Sequence, residues 1–470
     1  MLRRTSEQPV SKRAGRAGAP ELARTMGGVG ALLITLSGLS PSIGVFVVGS
    51  DVIHQAGTAA FVCFIAAALL GVAIANVYAE LAAAFPETGG EYTIVGRIMG
   101  PAWGFAMLGL NLLTFSIAPA MTALGVVTYL QALAPNLPPI PTALALVALC
   151  TGISVLNVRV NALVTGLFLT VELVSLAVIA GLGFSQAHRG AASLALHPVM
   201  LSGGHLLPVP LASLGVGAAA AIYAFDGYGS VVYLGEEIRD APKRIAAVVF
   251  WALGLAAVFQ ITPLVAVLVG APDLGRLMAA ASPLPAFILA SGGPVLARVM
   301  SAGVALALFN AMIASALMGG RQLYSSGRDR AWPARLSTAF ARLHPRFNSP
   351  WIATLAVGAT SLLWCLVRLD VLVVLIGEGT AAIYVCMCLA ALQGRRSGAS
   401  AHAPYRMPGF PLTPVLALAA LAAVGGADLL DPDGRKGLLA SALVVAASAL
   451  YYRLVLRRQG SWAHRGPGAA

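Results

Sequence analysis

Ser37-Gly38-Leu39-Ser40-Pro41-Ser42-Ile43-Gly44 interrupts an apolar run that extends from residue 26 to residue 49. The run is long enough to cross a bilayer, for which about 20 apolar residues suffice. Its centre, however, holds a proline, two glycines and three serines, and glycine and proline both disfavour continuous helix. The stretch therefore predicts a membrane helix that breaks partway across. Hydrocarbon offers no hydrogen bonds, so main-chain groups bared by the break must be satisfied by neighbouring protein, water, ions or cargo. A second interruption, Ala224-Phe225-Asp226-Gly227-Tyr228-Gly229, sits in the apolar run 211–235. The two lie roughly 185 residues apart, the separation that a duplicated five-helix unit produces, and paired breaks of this kind point to a transporter.

Composition places both runs in a membrane. Of 470 residues, 58% are hydrophobic and 10% charged, with mean hydropathy +0.84; soluble domains carry about a quarter charged residues. Apolar runs predict twelve spans, near 26–49, 58–84, 102–132, 141–156, 162–184, 211–235, 245–270, 294–318, 350–367, 371–392, 412–430 and 436–457. Lys and Arg flanking membrane helices stay in the cytoplasm. With the N-terminus inside, 24 of the 30 basic residues fall on inner segments, which predicts both termini cytoplasmic and a plasma-membrane location, a bacterial inner membrane fitting the short tails. The net charge of +12 then reads as topology plus attraction to membrane lipid. No nucleic-acid partner is expected, because the charges are scattered over many short loops. The basic segment 1–25 and the segment 458–470 are predicted to be cytoplasmic tails without fixed structure. Cys63, Cys150, Cys365, Cys386 and Cys388 all fall in or at the ends of spans, with no spacing suited to disulfides or a metal. No cofactor is expected.

A helix that stops in mid-membrane presents the amides of its next half and the carbonyls of its preceding half to the gap. At the first break, amides of Ser42, Ile43 and Gly44 suit a carboxylate, Pro41 having no donor. At the second, carbonyls near Tyr223, Ala224 and Asp226 suit an ammonium, with Gly227 supplying backbone freedom. An α-amino acid fits both. The plainer alternative is that Gly, Pro and Ser only allow close packing or a kink.

Tyr78-Ala79-Glu80-Leu81-Ala82-Ala83-Ala84-Phe85-Pro86-Glu87-Thr88-Gly89-Gly90-Glu91-Tyr92 closely resembles the second-helix signature of the amino acid–polyamine–organocation permeases. Tyr223-Ala224-Phe225-Asp226-Gly227-Tyr228 with Glu236-Glu237, then Asp240-Ala241-Pro242-Lys243-Arg244, resembles that family's sixth helix and exit. Arg321-Gln322-Leu323-Tyr324 through Arg328-Asp329-Arg330-Ala331-Trp332-Pro333 and Tyr405-Arg406-Met407-Pro408-Gly409-Phe410-Pro411 resemble later signatures. The resemblance covers roughly 26–457 and implies an all-α polytopic fold of LeuT type. In that fold, 26–184 and 211–392 form a five-plus-five inverted repeat with discontinuous helices 1 and 6, and 412–457 adds two helices. Helices 3, 8 and 10 would complete the cavity. It also implies proton coupling or exchange. Ile43 stands where the family often has a small residue, which alters the space for cargo.

Among intramembrane polar groups, Glu172 in the fifth span either carries the coupling proton or rests as a neutral hydrogen-bonded acid. The family often has a lysine near this place. Asp226 either caps the following half-helix or binds a cationic group, capping being favoured. Phe225 and Tyr228 either close over the cargo as an aromatic gate, Phe225 being the favoured one, or simply pack, the commoner use of an aromatic in an apolar helix. Glu80, Glu87, Glu91, Glu236, Glu237, Arg328 and Asp329 gather near the inner mouth, as a latch or as loop pairs. Asn310 and Glu378 line the cavity or bond between helices. Sodium coupling is less supported, since Ser315 has no adjacent Ser or Thr to add hard oxygen ligands.

The sequence thus predicts a secondary transporter of an amino acid or related amine, working by alternating access with proton coupling and no catalytic chemistry. Exchange, polyamine transport and a non-transporting nutrient sensor are the alternatives.

Overall fold

The computed structural model describes residues 22–156, 158–430, 432–460 and 462. Most of the two expected tails falls outside them. Helices dominate, as the composition predicts. The first run divides into α1 (Gly28–Leu39) and, beyond Ser40, a π-helical turn Ile43–Val48 that continues into α2 (Gly49–Ala56). A turn at Gly57, with φ +57°, reverses the chain into α3 (Ala60–Ala84). Then come α4 (Glu91–Met99), α5 (Pro101–Gln131), α6 (Pro139–Ser154), α7 (Val158–Ser185), the short α8 (Ala191–Leu196) and a hairpin of β1 (Val199–Ser202) with β2 (His205–Pro208). The second broken run is α9 (Leu211–Ala224) followed by a 3-10 stretch Tyr228–Leu234. The remaining elements are α10 (Ala241–Gly270), α11 (Leu274–Ala279), α12 (Pro283–Arg328), α13 (Ala334–Phe340), α14 (Trp351–Trp364), α15 (Leu369–Ser397), α16 (Leu412–Asp428), α17 (Pro432–Tyr451) and α18 (Arg457–Gln459).

Eight segments among the described residues are long and apolar enough to cross a membrane, and the first, Gly28–Ala84, contains two spans joined at Gly57. The shorter apolar helices α6, α14 and α16 bring the set to the twelve expected. Three features differ from expectation. The amphipathic α4 lies between the second and third spans. The eighth span is preceded by a further helical stretch from Pro283, bent at Gly293, where φ is +77° and Pro294 follows; proline cannot donate to the preceding turn. Finally, the last span continues through Arg457–Gln459, and Trp462 inserts edge-on against Phe105 and Tyr452, so this part of the expected C-terminal tail is packed.

The two broken spans lie side by side. α1 runs along the Tyr228–Leu234 stretch, and α2 runs along α9, so first half meets second half and the spans are antiparallel. α7, α10 and α12 surround α1. Acid–base pairs gather at the Arg-rich end. At the opposite end Arg189 donates to the carbonyls of Leu268 and Ala271 at 2.8 and 2.7 Å, the His188 amide donates to Val269 at 3.0 Å, and Gly183 abuts the main chain of Ala266 and Gly270.

Candidate functional site

The break in the first span is confined to one residue. Ser40 takes φ +47°, ψ +90°, and its amide still closes on Leu36 at 2.9 Å. Its carbonyl turns back to accept from the amides of Ile43 and Gly44 at 3.0 and 3.4 Å. The expected seat of three open amides is therefore corrected: Ile43 and Gly44 are satisfied within the turn. The physical reason is that buried donors take the nearest carbonyl, and a one-residue break leaves that carbonyl within reach. The Ser42 amide does point out of the turn, and its partner is Glu172. The carboxylate of Glu172, carried across from α7, accepts from the Ser42 amide at 2.7 Å and from the Ser40 hydroxyl at 2.8 Å. Glu172 is fully buried, and its other oxygen has no hydrogen bond.

At the second break Gly227 adopts φ +115° in direct contact with α1; a Cβ there would stand 2.8 Å from the Leu39 Cα. Only glycine meets both demands. The carbonyl of Tyr223 accepts from the Asp226 amide at 3.2 Å, and that of Ala224 accepts from the side-chain amide of Gln260 on α10 at 2.7 Å. These two expected ammonium ligands are thus also partnered. Asp226 reaches α15, accepting from the Tyr384 hydroxyl and, at 3.4 Å, from Thr380. Phe225 is buried and packs edge-on against Phe64 of α3. Tyr228 likewise packs edge-on on Tyr78.

Asn310 is buried on α12 with neither end of its amide hydrogen-bonded, an arrangement that calls for a water or ligand partner. Of its two expected roles, Glu378 takes the place between helices. Its side chain lies against Gly437 of α17 and beside Asp428 of α16, while Thr380 and Tyr384 face the break. Residues two apart on a helix point to different faces, so Glu378 and Thr380 cannot both line it. Tyr223 packs beside Gly377. Past Gly44, Phe46 and Tyr129 border a cavity of about 30 Å³, shared with Ile288, Met300, Ser301 and Val304.

At the Arg-rich end the expected charges form pairs between elements. Arg328 meets Glu236 at 2.6 and 2.7 Å, Arg321 meets Glu237, Arg395 meets Glu80 at 2.6 Å, and Arg97 meets Glu87 at 2.6 Å. The first two join the exit of the sixth span to the eighth and are buried. Met26 adds main-chain bonds to Glu237 and Arg239 at 2.9 and 3.0 Å, closing the first span onto the sixth. Glu91 stands apart from this set: it is held by Tyr78 at 3.1 Å and Asn111 at 3.3 Å.

Gln260 escaped the sequence reading. Its signal was a lone amide in the apolar run Ala256-Ala257-Val258-Phe259-Gln260-Ile261, three residues before Pro263. Asn111 and Tyr384 were overlooked for the same reason, one polar group in a long helix being common.

Two antiparallel spans broken at the same level, with buried polar side chains converging on the breaks, define a polytopic transporter. Residues 27–428 match the family described as amino acid permease, and the chain belongs to it. It is 29% identical to an uncharacterized transporter of Mycobacterium tuberculosis over 72% of this chain and 73% of the relative. It is 25% identical to the branched-chain amino acid permease BcaP of Bacillus subtilis, over 83% and 85%. To the low-affinity putrescine importer PlaP of Escherichia coli it is 24% identical, over 61% and 62%. The protein is a multi-pass membrane transporter of the amino acid and amine class, and these names indicate carriage rather than catalysis.

Proposed function

We propose that this permease carries an amino acid or related amine across the plasma membrane by alternating access, coupled to protons, with both termini in the cytoplasm. The observation that carries the reading is the meeting of the two breaks, Gly227 against Leu39, with Glu172 bonded to the first. The branched-chain and putrescine relatives support the cargo class. The five-helix units 26–184 and 211–392 would be the inverted repeat, with 412–457 appended. Spans 1, 2, 6 and 7 would rock against 3, 4, 8 and 9, and the Arg321–Glu237 and Arg328–Glu236 pairs would close the cytoplasmic mouth.

Glu172 serves as the proton carrier in this reading. Its ionised carboxylate is a strong acceptor for the Ser42 amide and Ser40 hydroxyl, and protonation weakens both bonds. The junction of α1 and α2 is then free to flex. The test is uptake by purified protein in liposomes of labelled amino acids and amines, with an imposed pH gradient and with counterflow. Gradient-driven accumulation is expected, and Glu172→Gln should abolish its dependence on the gradient. Full gradient-driven uptake by that variant would remove Glu172 from coupling. Counterflow without gradient response would identify an exchanger, and saturable binding without uptake would identify a sensor.

A further inference from the structure

Resting on the transport site proposed above, we infer that the cargo is an amine without a carboxylate, because Glu172 already fills the place a cargo carboxylate would take. The donors that a half-helix offers an anion are its first amides. Here Pro41 has none, Ile43 and Gly44 are bonded to the Ser40 carbonyl, and Ser42 is bonded to Glu172 at 2.7 Å, with the Ser40 hydroxyl on the same oxygen. The seat is complete with a carboxylate supplied by the protein itself.

What remains unsatisfied at the break is of the opposite kind. The second oxygen of Glu172 and the Oε1 of Gln260, the latter 2.8 Å from where a Gly44 Cβ would lie, are acceptors without partners; the Ser42 hydroxyl serves either way. Ammonium groups are donors only. Charge agrees with this. No Lys or Arg lies between Arg24 and Arg97 or between Arg189 and Arg239, and those flanking α7, Arg159 and Arg189, lie at or beyond its ends. Acids do face the break: Glu172, and Asp226, whose bonding partners Thr380 and Tyr384 are uncharged hydroxyls. A cargo carboxylate would add a further negative charge beside Glu172 and Asp226, whose hydrogen-bond partners are uncharged serine, threonine and tyrosine groups, whereas an amine supplies a cation to them.

The experiment uses pairs that differ by one carboxyl: putrescine and ornithine, cadaverine and lysine, tyramine and tyrosine, isoamylamine and leucine. Uptake and mutual competition are measured with the full-length protein in liposomes. The unaltered protein should accumulate an amine with a half-saturation about tenfold or more below that of its parent amino acid, the scale on which a site rejects a group it cannot pair. Glu172→Ala vacates the Ser42 amide and should shrink that ratio about tenfold. Equal or better uptake of a parent amino acid by the unaltered protein overturns the inference and leaves the transport reading standing, as does an unchanged ratio in folded Glu172→Ala. Accumulation of none of the four amines overturns the inference, while the transport reading is decided by the wider panel and counterflow described above. If Glu172→Ala fails to fold, the panel on the unaltered protein decides alone.

Discussion

Gly227 carries a close contact between the two breaks. With φ +115° and the Leu39 main chain against its α-carbon, a methyl group there meets backbone atoms that no side-chain rotation can move. Gly227→Ala is expected to combine left-handed strain of about 1–2 kcal/mol with separation of α1 from the sixth span. Thermal unfolding in detergent should show a clear loss of stability, together with loss of uptake. A variant as stable and active as the parent would mean that the breaks need not touch. Gly227 was legible in the sequence because Asp-Gly inside an apolar run has few other uses. Glu172 was legible as well, an acid in mid-span being too costly to be idle. Their partners were not: nothing in the local pattern tells that Glu172 reaches Ser42 across 130 residues, or that Gln260 reaches Ala224.

Among elements, the exit of the sixth span and the end of the eighth are joined by Arg328–Glu236 and Arg321–Glu237, with all four side chains at most 4% exposed. Removing one member of such a pair leaves an uncompensated buried charge, at a cost of about 3–5 kcal/mol, whereas removing both can be nearly neutral. Glu236→Gln should therefore destabilise strongly, and Glu236→Gln combined with Arg328→Met should recover most of the loss in the same unfolding assay. Equal losses in the single and double variants would argue against the pairing. Existence and order of the spans could be read from hydropathy, and the acids and bases of this end from the sequence signatures. Which acid meets which base could not be read, because the pairs join segments 84 and 92 residues apart. Span boundaries were blurred where a second, shorter helix abuts a span, as at Gly293.

For the molecule as a whole, the crowding of Lys and Arg onto one end of the bundle sets the expected orientation. His205 in the β-hairpin and Arg335 on α13 are both exposed and lie on opposite predicted sides. In intact cells a membrane-impermeant maleimide should label His205→Cys, and should label Arg335→Cys after permeabilisation alone. The reverse pattern would invert the topology. The native thiols form a quiet background, four buried and Cys386 partly so.

The contact of Gly183 with Gly270, sealed by Arg189 on the last carbonyls of α10, constrains how such a bundle can move. It welds one end of the fifth span to the seventh, which in the proposed cycle would lie in the rocking half. Glu172 sits 11 residues before Gly183, about three helical turns along the same rod. The fifth span would then be held at its tip and at its midpoint by two members of the same proposed rocking body, so it would travel with the first and seventh spans and the Ser42–Glu172 bond would survive the swing.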